Sequence, residues 1–168
     1  MKKMFIMLLI AILTLSTAAF AATYTHDDDI TFRYDDAFFK ISMDDHGDDE
    51  DLIILEDQHG DFVRIHLRDL DDGETFPTIE DFSEIEAANG TKVEKLAEWA
   101  GFTDVFTYGY DVDAYHEDVF IAPIYDDDHE IDAILTVNIG GDALEDEAAG
   151  MERADMVSEV VDTLKVKD

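Results

Sequence analysis

Arg64, His66 and Arg68 alternate along one predicted strand of a chain that carries 43 acidic and 11 basic residues. Alternate residues of a strand share a face, so these three form one basic surface, which we call the basic ladder. Guanidinium groups hold anions and carboxylates in bidentate geometry. The ladder therefore predicts a recognition face for an anion or a partner's carboxylates, or else cross-strand ion pairs within the protein. The acidic composition favours the ion pairs.

Aspartate-rich segments are the second candidate, because carboxylates are the ligands that calcium prefers. The segment Asp69–Glu74 comes nearest to an EF-hand loop, but its glycine stands fifth instead of sixth. The clusters Asp44–Asp49 and Asp126–Asp128 have no loop pattern of that kind. These segments predict solvated turns, with low-affinity calcium binding as the alternative.

Histidines offer a third possible site, since imidazole is a common ligand of transition metals. No two of them have a close metal-ligand spacing such as His-x-x-x-His, and His26 is predicted to lie in a loose amino-terminal segment. The six are His26, His46, His59, His66, His116 and His129. The sequence therefore predicts no dedicated metal site and no cofactor.

Catalytic motifs are absent from the sequence. It contains neither Gly-x-Ser-x-Gly nor His-Glu-x-x-His, and beyond residue 21 it has three serines. The lack of cysteine excludes disulfides and thiol catalysis. The prediction is a non-enzymatic protein with no catalytic residues.

The first 21 residues have the pattern of an export signal. Lys2 and Lys3 precede an apolar run from Met4 to Leu15, and Ala19-Phe20-Ala21 is a small-x-small cleavage site. We expect residues 1–21 to be removed and residues 22–168 to form a single domain in a periplasmic or secreted protein.

The net charge of the chain limits the classes of partner that it can bind. The formal charge of −32 becomes −34 when Lys2 and Lys3 leave with the signal peptide. Such a surface repels nucleic acid and anionic lipid, and it favours basic protein surfaces or divalent cations. We expect no nucleic-acid binding and no membrane insertion after cleavage. Because 46% of the residues are hydrophobic, the charge must lie on a folded domain.

The hydrophobic pattern predicts strands alternating with two helices. The helices are predicted from Thr78 to Asn89 and from Leu144 to Leu164. Residues 92–100 fit either a helix or a strand, and a strand over 92–99 is favoured because Gly101 is typical of a hairpin turn. The other predicted strands are Ile30–Tyr34, Ala37–Met43, Leu52–Leu55, Phe62–Arg68, Phe102–Val112, Val119–Tyr125 and Ile131–Ile139. This order predicts an α+β fold, a mainly antiparallel sheet of seven or eight strands with helices packed on it.

One predicted strand carries an aromatic row. Phe102, Phe106, Tyr108 and Tyr110 are expected on one face of it. Such a row is typical of a ligand groove or of core packing against a helix, and core packing is favoured.

The order of elements resembles the Mog1/PsbP-like superfamily of small exported bacterial proteins. The resemblance rests on Ile30–Tyr34, the second strand, the mid-chain helix, the meander and the terminal helix ending Val161-Asp162-Thr163-Leu164. It implies an accessory or binding role and no particular functional residue. The sequence thus predicts an exported, acidic accessory or binding protein, with low-affinity divalent cation binding by acidic loops as the alternative.

Overall fold

The computed structural model describes residues 21–26, 30–71, 73–82, 90–112, 115–142 and 147–167. A 3₁₀ turn spans Ile79–Phe82, and one α-helix, α1, spans Glu147–Thr163 within these ranges. The strands found there are β1 (Ala21–His26), β2 (Ile30–Asp35), β3 (Lys40–His46), β4 (Glu50–Glu56), β5 (Phe62–Asp69), β6 (Glu94–Trp99), β7 (Phe102–Val112), β8 (Tyr115–Tyr125), β9 (Ile131–Asp142) and β10 (Lys165–Val166).

The strands form two antiparallel sheets. The large sheet has seven strands in the order β3-β4-β5-β9-β8-β7-β6, and the small sheet has three in the order β1-β2-β10. Long alternating runs such as Phe62–Asp69 explain the large sheet, because every second side chain enters the core. β3 and β6 are the edges of the large sheet, and β1 is an edge of the small one.

The main core lies between the large sheet, the small sheet and α1. Ile30 and Phe32 of β2 are fully buried with Ile65 of β5 and Val160 of α1. At about 25 cal/mol per Å² of apolar surface, each fully buried aliphatic side chain stabilises the fold by about 1.5–3 kcal/mol. A second cluster on the opposite face of the large sheet contains Phe82, Val93 and Phe106.

Helix α1 is fastened to β2 by polar contacts as well as by packing. The backbone N–H of Arg33 donates to Oγ1 of Thr163 at 2.8 Å, and the Arg33 guanidinium lies 3.1 Å from Glu159. The Thr163 hydroxyl donates to the Glu159 carbonyl in the last turn. These contacts join the end of α1 to the small sheet, so β10 follows directly and pairs with β2.

The predicted α+β fold is wrong. Two antiparallel sheets and one α-helix make the described residues a mostly β structure, and they are not a single sheet covered by helices. The difference arises at the amino terminus, where β2 pairs with β1 on one side and with β10 on the other in a sheet of their own. The segment that contains His26 was expected to be loose, yet it belongs to β1, whose alternation buries Tyr24 and exposes Thr23 and Thr25.

Several acidic segments that suggested turns belong to strands. Residues Asp44–His46 extend β3, and Tyr115–Asp118 open β8. Asp44 and Asp45 are exposed on β3, so their carboxylates stay hydrated while the backbone joins the ladder, whereas Glu117 of β8 is buried. Conversely, the strand favoured at 92–99 is confirmed as β6, which ends at a turn where Ala100 and Gly101 both have positive φ.

Some predictions fall partly on residues that the structure does not describe, among them residues 144–146 of the helix predicted from Leu144 to Leu164. Of the predicted signal peptide, residues 1–20 lie outside the described ranges, and Ala21 already belongs to β1. Of the predicted helix from Thr78 to Asn89, residues 83–89 lie outside them too, and Ile79–Phe82 is a 3₁₀ turn. The described part of the chain contains no helix with the length and hydropathy needed to cross a membrane.

Candidate metal site and the basic ladder

The candidate site forms where an edge of the small sheet meets an edge of the large sheet. Tyr24 and His26 share one face of β1, and Asp44 and His46 share one face of β3. The hydroxyl of Tyr24 donates to Oδ1 of Asp44 at 2.6 Å and lies 3.1 Å from Nε2 of His46. Side chains that are about twenty residues apart in the sequence are therefore brought together.

His26, His46 and Asp51 form the centre of this site. One ligand atom from each lies within 4.8 Å of the other two, and all three residues are half-buried. The imidazole rings of His26 and His46 are parallel, with centroids 3.2 Å apart and planes inclined by 2°. Asp51 adds a carboxylate oxygen 2.7 Å from Nδ1 of His46. We call these three residues the His–His–Asp site.

The hydrogen bonds of the site favour a positive charge on His46. Burial opposes its protonation, but hydrogen bonds to Asp51 and Asp44 outweigh burial and raise the His46 pKa. For Asp44 burial also favours the neutral acid, but hydrogen bonds from Tyr24 and His46 lower its pKa. Burial, followed by the bond to Asp44, raises the pKa of Tyr24 and keeps its hydroxyl a donor. His46 therefore holds its proton more tightly than a free imidazole, and a metal ion at Nδ1 would have to displace that proton.

An acidic cavity of about 350 Å³ adjoins the site. His26 and Asp51 line it together with further carboxylates and with the carboxyl-terminal Lys167. Burial and repulsion by Asp132, Asp49 and Asp51 raise the pKa of Asp69 in its wall. Cations are attracted to such a potential, so the cavity concentrates them next to the His–His–Asp site.

The chemistry of the three side chains fits a divalent transition metal. Zinc binds imidazole nitrogen at about 2.0–2.1 Å and carboxylate oxygen at about 2.0–2.2 Å, with a water completing three-ligand sites. Ligand atoms around such an ion lie roughly 3.3 Å apart, so the 4.8 Å spread must contract by roughly 1.5 Å. The nitrogen lone pairs lie in the planes of the two stacked rings, so one imidazole must tilt for both to reach one ion. The site therefore requires a ring such as that of His26, which is half-buried on the edge strand β1, to rotate.

The basic ladder lies on the opposite face of the large sheet, and its three side chains contact acidic groups. Arg68 makes a bidentate pair with Glu74 at 2.7 and 2.8 Å, and His66 lies 3.1 Å from Glu50. The shared face of the ladder is as predicted, because Val63, Ile65 and Leu67 are buried on the other side of β5.

Arg64 has a different environment from the other two ladder residues. Its guanidinium stacks over the ring of Phe62, 5.0 Å from the centroid, and lies 3.9 Å from the buried carboxylate of Glu117. Thus the ladder contains internal ion pairs, and its role as a recognition face stays a prediction.

The aspartate clusters are used mainly as turn residues. Asp126 Oδ1 accepts the N–H groups of Asp128 and Glu130, at 3.0 and 2.8 Å. Glu74, in the segment closest to an EF-hand loop, is held by Arg68 and accepts the N–H of Asp71. Carboxylates engaged in this way are poorly placed to converge on calcium.

The predicted aromatic row is only partly correct. Phe106 and Tyr108 belong to the second cluster, but Phe102 packs against the main core on the other face. Asp104, with φ of 58°, interrupts the alternation between them.

Sequence reasoning missed the His–His–Asp site and predicted no dedicated metal site. His26 and His46 are separated by twenty residues, and no linear spacing connects them. The one usable signal was the pattern Asp44-x-His46 followed by Asp51 across a short turn, which places both acids beside one histidine in a hairpin. Assigning His26 to the site would have required knowing that β1 belongs to a second sheet.

No family model, no curated protein and no solved structure matches this chain. The resemblance to the Mog1/PsbP-like superfamily therefore stays a prediction, and the functional argument rests on the geometry of the chain itself.

Proposed function

We propose that this protein is an exported, non-enzymatic binding protein whose ligand is a divalent transition-metal cation. The observation that supports the proposal is the approach of His26, His46 and Asp51 to within 4.8 Å of one another. Two imidazoles and one carboxylate are a ligand set typical of zinc and related ions. The cation-binding alternative drawn from the sequence is thereby moved from the acidic loops to a site that contains histidine.

The charge distribution supports the same proposal. The formal charge of −34 after signal cleavage attracts cations over the whole surface, and the cavity beside Asp51 concentrates them at one end. Carboxylates alone favour calcium and magnesium, whereas imidazole nitrogen favours zinc, nickel and copper. The histidines therefore supply the selectivity and the acids supply the attraction.

Isothermal titration with ZnCl₂ in excess MgCl₂ tests the proposal. The protein is exported and purified without a histidine tag, and the magnesium saturates exposed carboxylates so that the heat reports a histidine-dependent site. We expect one saturable site whose affinity falls at least about tenfold in His26→Ala and in His46→Ala, because each loses a ligand.

His59→Ala is the matched control. His59 lies in the β4–β5 turn beside Gln58, and its removal changes the histidine count without touching the site. We expect the zinc affinity of this variant to equal that of the wild type. Failure of the wild type to bind zinc, or equal affinity in all three histidine variants, would overturn the proposal.

A further inference from the structure

The two ring nitrogens of His46 face two different carboxylates. Nδ1 lies 2.7 Å from Oδ1 of Asp51, and Nε2 lies 2.7 Å from Oδ1 of Asp44. A histidine that binds a metal through one nitrogen usually donates its other N–H to a carboxylate, which fixes the tautomer and the ring orientation. Either nitrogen of His46 satisfies this pattern on distance alone.

Tyr24 distinguishes the two carboxylates. Its hydroxyl has one proton, which it donates to Asp44 at 2.6 Å, so it has none to offer Nε2 of His46. Ionised carboxylates only accept, so without a metal Nε2 carries a proton for Asp44 and Nδ1 carries one for Asp51. Oδ1 of Asp44 already accepts from two donors, the Tyr24 hydroxyl and Nε2–H of His46. Asp51, in contrast, belongs to the His–His–Asp site, where its carboxylate lies near both imidazoles.

We propose that Asp44, held by Tyr24, is a positioning residue that keeps Nε2–H of His46 directed at itself and Nδ1 directed at the metal. The inference rests on the proposed function, because it assigns roles around the same ion. The metal takes the place of the Nδ1 proton between His46 and Asp51. Asp44 and Tyr24 do not touch the metal, and they act through His46.

Zinc titration of Asp44→Ala tests the positioning role, with Asp45→Ala as its matched control. Asp45 is the next residue of β3, carries the same charge and points to the opposite face of the strand. We expect Asp44→Ala to lose about 10–100-fold in zinc affinity, the usual cost of removing a carboxylate behind a ligating histidine. Asp45→Ala measures the cost of one lost charge, which should be several times smaller.

Conservative variants extend the test. Asp44→Asn keeps an acceptor for Nε2–H and should recover part of the affinity. Tyr24→Phe keeps the ring that stacks on Phe32 at 4.8 Å and loses the hydroxyl, so it should lose less affinity than Asp44→Ala. Equal affinities for Asp44→Ala and Asp45→Ala would overturn the positioning role.

Nitrogen-15 NMR of the zinc-loaded protein identifies the ligating atom directly. We expect the His46 ring to show a protonated Nε2 and a metal-bound Nδ1, and a metal-bound Nε2 would overturn the inference while leaving the proposed function intact. The wild-type titration separates the two claims, because a wild type that does not bind zinc overturns both. Zinc binding with the wrong nitrogen, or with an unaffected Asp44→Ala, overturns this one alone.

Discussion

His129 occupies in the β8–β9 turn the position that Gly60 occupies in the β4–β5 turn. In both turns the first aspartate, Asp57 or Asp126, donates its N–H at 2.9 Å to the carbonyl four residues later. Oδ1 of the same aspartate also accepts hydrogen bonds from the backbone N–H groups of the residues two and four positions later in the sequence. The fourth position has φ of 88° at Gly60 and 64° at His129. The same turn is thus built once with glycine and once with a side chain that resists this conformation.

Replacing His129 with glycine should stabilise the protein. A non-glycine residue in the left-handed region costs about 1–2 kcal/mol, and the greater freedom of glycine in the unfolded chain offsets about 0.5–1 kcal/mol of that. We expect His129→Gly to raise the free energy of unfolding by about 0.5–1 kcal/mol, measured by urea denaturation. The reciprocal Gly60→His should lower it, because no heavy atom lies within 4 Å of the added Cβ and strain alone decides. A loss of stability in His129→Gly would contradict the prediction.

The alternation of apolar residues predicted the large sheet well. Val63, Ile65 and Leu67 are buried as expected, and β6 at Glu94–Trp99 is a strand as the glycine turn indicated. When one face of a strand is buried, the alternation of its apolar residues determines its register with the neighbouring strands.

The separation into two sheets was not predictable from local pattern. Apolar and polar residues alternate in β1 and β2 as they do in the strands of the large sheet. Nothing in the sequence of β1 or β2 indicates which strands they pair with. The joint between the sheets depends on contacts such as that of Tyr24 with Asp44. The His–His–Asp site was missed for the same reason, since His26 lies on one side of that joint and His46 and Asp51 lie on the other.

Salt should stabilise the protein. The formal charge of −32, or −34 if residues 1–21 are removed as predicted, opposes the compact state through repulsion. Raising NaCl from about 0.01 to about 0.15 M shortens the Debye length from about 30 to about 8 Å. We expect the melting temperature to rise over this range, and to rise equally in KCl if screening is the cause. An unchanged melting temperature would show that the carboxylates are already well spaced or paired.

Zinc should slow hydrogen exchange in β1. This edge strand pairs with β2 alone among the described residues, and its contacts with β3 are made by side chains. An ion bound by His26, His46 and Asp51 would link the two sheets and must be released before β1 detaches. At a zinc concentration about 100 times Kd, exchange through such opening should slow about 100-fold.

Mass spectrometry of peptides covering residues 21–26 measures this effect. His46→Ala serves as the control, because it removes a ligand on β3 and leaves the β1–β2 ladder in place. Zinc that binds the wild type without slowing exchange in β1 would show that the site does not restrain the strand.

His116 should make stability depend on pH. A hydrogen bond from Nδ1 to Asp111 at 2.6 Å is the main cause of its raised pKa; burial opposes it, and Asp118 adds to it. Because the folded-state pKa lies above the unfolded value of about 6.5, this contribution is complete below pH 6.5. It is lost as the pH rises through the folded-state pKa.

Urea denaturation of wild type and His116→Gln at several pH values measures the contribution. The His116 side chain is 44% exposed, so we expect only about 0.2–1 kcal/mol below the unfolded pKa, falling toward zero above the folded-state pKa. His59→Gln is the control for the loss of a histidine, since the His59 ring contacts Gln58 instead of a carboxylate. A difference that grows with pH would contradict the assignment.

Arg64 should matter more to stability than Arg68, although both belong to the basic ladder. The sequence alone predicts a small cost for either, because exposed ion pairs contribute about 0.2–1 kcal/mol. Arg68 fits that case, since its side chain and that of Glu74 are 34% and 36% exposed. The partner of Arg64 is different, because the Glu117 side chain is only 8% exposed.

The remaining partners of Glu117 do not replace the cation. Asn138 donates to Oε1 of Glu117, and burial, together with the hydrogen bond to Glu117, raises the Tyr110 pKa to about 12. These neutral donors satisfy the oxygens but leave a negative charge in a poorly hydrated position. We therefore expect Arg64→Ala to cost about 1–3 kcal/mol, as for an uncompensated buried group, and Arg68→Ala about 0.2–1 kcal/mol.

A double-mutant cycle identifies the cause of the Arg64 effect. Glu117→Gln removes the buried charge and keeps the shape of the side chain, so Arg64→Ala should cost much less in that background than in the wild type. Urea denaturation of the four proteins gives the coupling energy, which we expect to exceed that of the matched Arg68–Glu74 cycle. Equal costs of Arg64→Ala in both backgrounds would mean that the stacking of its guanidinium on Phe62 is what stabilises the sheet, and that the 3.9 Å approach to Glu117 contributes little.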